Sequence, residues 1–163
     1  GLSLSALGYD NFRSTRESGE EFFIEKYLSK KNISLCLDIG ANIGSYSKLL
    51  LDKTNSKVIG FEPLPLVFNK LQKNLSYYSD RITLVNKGVG SKSEPLTIFY
   101  NGSATVHASF SEEVNDIKYL NNKEKLEIEL TTIDDYCIEN NIREIDFIKI
   151  DTEGFEKEVF EGQ

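Results

Sequence analysis

A chain of 163 residues supports one domain large enough to bury a genuine core. Its 26 acidic side chains against 19 Lys and Arg leave a net charge of −7, which disfavours nucleic acid, an anionic membrane surface or another polyanion as partner. No apolar run approaches the length of a bilayer span. One histidine and two cysteines without a CxxC pair argue against zinc, and a buried, reduced Cys36 fits a cytoplasmic setting.

Ser18 with Glu21 forms a capping box, after which Phe22, Phe23, Tyr27 and Leu28 recur at helical spacing. Residues 1–33 therefore read as a helical lead-in to a domain over 34–163. Ser34 to Ile39 reads as a strand, Ser45 to Leu51 as a helix, and Lys57 to Phe61 as a second strand closed by Glu62 and Pro63. From Pro65, Val67, Leu71 and Leu75 line one helical face with Phe68 beside them, and Ile82 to Val85 is a third strand. This alternation calls for a parallel sheet with helices on both faces.

Beyond it, Leu96 to Tyr100, Asn101-Gly102 and Ala104 to Phe110 read as an antiparallel hairpin, since Asn-Gly suits a type I′ turn. Residues 111–125 form a polar, partly helical excursion. Leu126, Ile128 and Leu130 alternate with glutamates as a half-buried strand, and Thr132 with Asp135 caps a short helix through Asn140. Ile145 to Ile150 is a buried strand, followed by a helix marked by Phe155, Val159 and Phe160 and stopped by Gly162. A doubly wound sheet is expected to continue past this point, so the sequence reads as the N-terminal part of a longer chain.

Ligands of open α/β sheets bind at the carboxyl ends of strands, where strand order reverses. Three acidic motifs fall at such ends: Asp38-Ile39-Gly40, Glu62-Pro63 and Asp151-Thr152-Glu153-Gly154. From Asp38 to Gly44 the pattern is D-x-G-x-N-x-G, with Asn42 in place of the second glycine of a dinucleotide fingerprint. A carboxylate beside open backbone N–H groups repels a pyrophosphate and favours a cation such as S-adenosylmethionine, which carries a sulfonium and an ammonium. Turn hydrogen bonding would account for Asp38 and Asn42 without any ligand. Glu62, at the end of the second strand, stands where an acid commonly accepts ribose hydroxyls; a turn residue before proline is the plainer account. Lys149 sits in IDFIKID, where alternation puts Phe147, Lys149 and Asp151 on one face, so it can pair with a carboxylate at the crevice. An ion-pair role for Lys149 and capping or helix-dipole roles for Asp151 and Glu153 stand beside direct catalysis.

With these residues in view, the chain resembles the FkbM family of S-adenosylmethionine-dependent methyltransferases. The resemblance is carried, in order from Ser18 to Gly162, by SGEEFF, LDIGANIGSYS, FEPLPLVFNKLQKNL, LTTIDDYC and IDFIKIDTEGFEKEVFEG. It implies an α/β, Rossmann-like class I methyltransferase fold: a doubly wound, mostly parallel sheet with a β-hairpin insert, lacking here its C-terminal strands. It places Asp38, Gly40, Ala41, Asn42 and Gly44 around the methionine part of the cofactor and Glu62 at the ribose. Asn86, with Lys87-Gly88-Val89, would flank the adenine, and Asp151 and Glu153 would face the transfer site. The implied acceptor is a hydroxyl on a glycan or secondary metabolite. Asp151 and Glu153 by position, and His107 by its near-neutral pKa, are then candidate bases. Lys149 joins them as a candidate catalytic group, and Tyr46 could line the pocket. No metal is demanded, although Asp151 and Glu153 could supply oxygen ligands. Two rivals remain: a nicotinamide-dinucleotide oxidoreductase, and a non-catalytic adenosyl-binding module. On this reading Asp38→Asn weakens S-adenosylmethionine binding without unfolding the domain.

Overall fold

The computed structural model describes residues 19–100 and 124–151. Its centre is a four-stranded, wholly parallel sheet of β1 (Leu35–Ile39), β2 (Lys57–Phe61), β3 (Ile82–Val85) and β7 (Phe147–Ile150), in the order β3-β2-β1-β7. The chain runs outward from β1 through α2 (Ser45–Lys53), β2 and α3 (Pro65–Leu75) to β3. It then returns to lay β7 on the opposite side of β1. Strand order therefore reverses between β1 and β7, the point at which such sheets open a crevice.

The period of two sorts the strands onto two faces. On one, Cys36 and Val58 are buried with Leu50 and Leu51 of α2 and with Ile24, Leu28 and Ile33 of the lead-in. Leu71 and Leu75 of α3 pack beside them against Ala41. On the other face, Leu37, Ile39, Ile59 and Phe61 pack against Val89 and against Ile133 and Tyr136 of α4 (Ile133–Glu139). Helices thus cover both faces, as the alternation predicts, and the continuous apolar runs of β1 and β2 follow from burial on both sides.

The lead-in differs from its sequence reading. Helix α1 (Gly19–Phe23) passes directly into a π-helical turn, Ile24–Leu28. The wider turn points Ile24 and Leu28 into the core and leaves Phe22, Phe23 and Tyr27 exposed, so the aromatic set is not the buried face. Ser18, the expected cap, lies outside the described residues.

A second sheet, in the order β4-β6-β5, comprises β4 (Gly88–Val89), β5 (Pro95–Tyr100) and β6 (Glu124–Thr131). β5 pairs antiparallel with β6, Leu96 lying opposite Ile128. The strand's described partner is thus the alternating Leu126–Leu130 segment; the expected hairpin arm, Ala104 to Phe110, and its Asn101-Gly102 turn lie outside the described residues. The alternating apolar face of β6 helps to fix this register. Thr132 caps α4 as predicted, its hydroxyl accepting from the Asp135 N–H at 2.9 Å. Among the described residues no helix is long and apolar enough to cross a membrane.

Candidate functional site

The turn after β1 crosses the left-handed region at Gly40 (φ 78°), Asn42 (φ 51°) and Gly44 (φ 94°). Its N–H groups point inward. Those of Gly40 and Ala41 both donate to the Phe61 carbonyl, at 3.0 and 2.9 Å, and that of Gly44 donates to the Ala41 carbonyl at 2.9 Å. The Asn42 N–H donates to Glu62 Oε2 at 3.0 Å. The Asn74 amide holds the Ile43 carbonyl from α3. At Gly44 a Cβ would stand 2.8 Å from Leu71 Cδ1, so glycine is required there by both conformation and space.

Glu62 is buried and clamps the two neighbouring loops, its other oxygen accepting from the Leu64 N–H at 3.0 Å. Asn86, at the end of β3, donates to the carbonyls of Glu62 and Pro63 at 2.8 and 3.1 Å, completing a chain of loop-to-loop bonds. The sequence brings the predicted set Gly40, Ala41, Asn42, Gly44, Glu62 and Asn86 together along one edge.

Asp38 is placed differently from its expected position beside the turn. It is fully buried on the face covered by α2, where Ser47 Oγ donates to its Oδ2 at 2.6 Å. Gly60, opposite Asp38 on β2, leaves room for this contact: a Cβ there would meet Leu84, Ala41 and Ser47 at 3.2 to 3.5 Å. On the other side Asp38 is in register with Lys149, whose Nζ lies 3.6 Å from Oδ1. That separation makes an ion pair but exceeds a good hydrogen bond, and Oδ1 accepts none. Burial pushes the Asp38 carboxyl above its ordinary pKa, against the opposing pull of Lys149 and the Ser47 hydroxyl.

Lys149 bridges from this buried acid to Asp151 Oδ2 at 3.3 Å, with its side chain only 14% exposed against 60% for Asp151. Its ammonium also lies 5.1 Å from the Tyr46 ring centroid, and Tyr46 stacks on Phe147 at 6.4 Å. Phe23 of α1 meets the same Phe147 ring at 6.0 Å. The pairing expected of Lys149 is therefore present, and Tyr46 belongs to its surroundings. His107 and Glu153 lie outside the described residues. Sequence reasoning missed Ser47, which was accessible as a small polar residue in the first turn of the helix after the glycine turn.

The methyltransferase FkbM domain model matches residues 38–163. The chain belongs to the FkbM methyltransferase family. Among curated relatives, methyltransferase 1 of Beauveria bassiana is 24% identical over 161 residues, 88% of this chain and 65% of the relative. The hexuronic acid methyltransferase AglP of Haloferax volcanii is 28% identical over 130 residues, 77% of this chain and 48% of its own length. The AMB antimetabolite synthetase AmbE of Pseudomonas aeruginosa is 26% identical over 188 residues, matching 93% of this chain and 9% of that protein. The chain thus spans less than two thirds of each.

Proposed function

We propose that this FkbM domain binds S-adenosylmethionine at the β1/β7 crevice and belongs to an enzyme that methylates a hydroxyl group of a sugar or a small metabolite. The observation that carries the choice of ligand is the inward direction of the turn. A dinucleotide pyrophosphate needs backbone N–H groups aimed at the ligand. Here those of Gly40, Ala41, Asn42 and Gly44 are already donated to Phe61, Glu62 and Ala41. Among the described residues the crevice also carries more carboxylates than cations, with Asp38 and Asp151 about Lys149, which suits a ligand bearing positive charge.

S-adenosylmethionine would supply a methyl group on a sulfonium; its transfer forms a carbon–oxygen bond, breaks the carbon–sulfur bond and leaves the electron pair on sulfur. Glu62, at the end of β2, would hold the ribose hydroxyls, and Asn86 would fix the loop beside it. Asp38 and Asp151, bridged by Lys149, would set the charge at the methionine end. Most of the rate would come from holding the acceptor oxygen in line with the methyl carbon. The acceptor proton needs a base within reach, and Asp151, exposed at the mouth, is the described residue best placed for it. The relative AglP is named as a hexuronic acid methyltransferase, which supports a sugar acceptor.

Calorimetric titration of the full-length protein separates this reading from its rivals. Binding of S-adenosylmethionine and S-adenosylhomocysteine with no response to NAD is expected. Tight NAD binding without a response to either would overturn the assignment. Labelled methyl transfer to a hydroxylated acceptor is expected as well; cofactor binding without transfer across a broad acceptor panel would favour the non-catalytic module.

A further inference from the structure

The turn after β1 is fastened from α3 as well as from within. Leu71, Asn74 and Leu75 stand three and four residues apart, so all three fall on one side of that helix. Leu71 and Leu75 are buried with Ala41, and a Cβ at Gly44 would stand 2.8 Å from Leu71 Cδ1 and 3.0 Å from Leu75 Cδ1. Asn74 adds a polar contact to this apolar face. Its Nδ2 donates to the Ile43 carbonyl at 2.8 Å, across 31 positions of sequence. A carbonyl only accepts, so the amide nitrogen and not its oxygen faces the turn.

The Ile43 carbonyl and the Gly44 N–H lie on opposite sides of one planar peptide unit. Asn74 holds the first, and the second donates to the Ala41 carbonyl at 2.9 Å. A peptide plane turns over most readily before glycine, which accepts either sign of φ, and Gly44 stands at 94°. Turning this one over would break both bonds. It would also release the Gly44 N–H at the N-terminus of α2, where an open N–H favours an anion. Resting on the reading of this turn as part of a cofactor site, we propose that Asn74 is a positioning residue for it. By holding the Ile43–Gly44 peptide in one orientation, Asn74 keeps the turn closed to a phosphate chain and shaped for a cationic ligand. The bond lies at an exposed position, where water competes for both partners, so it governs local orientation more than global stability.

Two measurements on the full-length protein test this. Without ligand, amide exchange at Gly44 is followed by NMR in Asn74→Ala and Asn74→Asp, each against the unmodified protein at the same pH. Both variants lose the donor near neutral pH, so Gly44 exchange should accelerate several-fold while the amides of β1 and β2 keep their protection. Asn74→Asp should regain slow exchange in acid, once its carboxyl is protonated and can donate again. Unchanged Gly44 exchange in both variants overturns the lock, whatever the ligand proves to be. Acceleration in Asn74→Asp that persists in acid overturns the hydrogen bond as its cause. In calorimetric titration, Asn74→Ala should bind S-adenosylmethionine several-fold more weakly and gain a response to NAD. Faster Gly44 exchange with an unchanged preference between the two ligands overturns the positioning role even if thermal stability falls. Absence of S-adenosylmethionine binding by the unmodified protein overturns the cofactor reading and this role with it. The ligand-free exchange then reports whether the lock itself exists.

Discussion

Replacing Lys149 with methionine removes the cation that, among the described residues, pairs with the fully buried Asp38 carboxylate. At 3.6 Å, and with an effective dielectric of about 20, the lost attraction is about 5 kcal/mol. Stripping one partner from a buried pair costs about 3–5 kcal/mol in general, so the two routes agree. Lys149→Met should therefore lose about 3–5 kcal/mol in urea unfolding at neutral pH. The sign of the pH dependence follows from Asp38. Burial already raises its folded-state pKa above the unfolded value, and Lys149 is the largest influence opposing that rise. Without Lys149 the folded value climbs further, so the native state binds more protons than the unfolded chain between the two values. Stability then rises as pH falls through that window. The deficit is full above the folded pKa and shrinks toward acid. Adding Asp38→Asn removes the buried charge and keeps an acceptor for the Ser47 hydroxyl, so the double variant should recover most of the loss. A deficit that stays flat between about pH 4 and 8, or single costs that simply add, would refute the coupling.

Three further substitutions probe the scaffold of the crevice. Gly44→Ala sets a Cβ at φ 94° against Leu71 and should cost roughly 2–5 kcal/mol in denaturant unfolding; a loss below about 1 kcal/mol would mean that the turn rearranges freely. Glu62→Gln leaves one acceptor oxygen for two N–H groups, so amide exchange at Asn42 or Leu64 should accelerate by an amount reflecting roughly 1–3 kcal/mol, and unchanged exchange at both would remove Glu62 as the clamp. Thr132→Ala deletes the cap of α4 and should lower stability by about 1 kcal/mol while leaving S-adenosylmethionine affinity unchanged; Thr132→Ser should keep the cap.

The parallel sheet was legible because its strands are short, mostly apolar and separated by helical periods, a pattern with few alternative foldings. The lead-in was less so. Phe22, Phe23 and Tyr27 have helical spacing, but spacing does not say which stripe is buried, and the π turn shifts the inward stripe to Ile24 and Leu28. The pairing of β5 with β6 was less legible as well. Its register is fixed across a long connection that local rules do not see, whereas Asn101-Gly102 is a local signal whose hairpin arm lies outside the described residues.

The acid in the turn motif shows where reading the site stopped. Asp38 was recognised as an unusual residue at a strand end, and its discrimination against phosphate was attributed to its charge beside open N–H groups. Its side chain instead lies beneath α2, bonded to Ser47, and the N–H groups it was meant to guard are occupied by Phe61, Glu62 and Ala41. Rejection of a pyrophosphate then resides in the backbone of the turn, while Asp38 acts through Lys149 on the charge at the mouth. The two accounts part on one variant. If the carboxylate itself repels phosphate, Asp38→Asn should gain affinity for NAD. If the turn is closed by its own hydrogen bonds, Asp38→Asn should bind NAD no better than before, although it still weakens S-adenosylmethionine binding and now also costs stability by loosening Lys149. Calorimetry with NAD on the folded variant decides between them, and a clear gain in affinity would return the discrimination to Asp38.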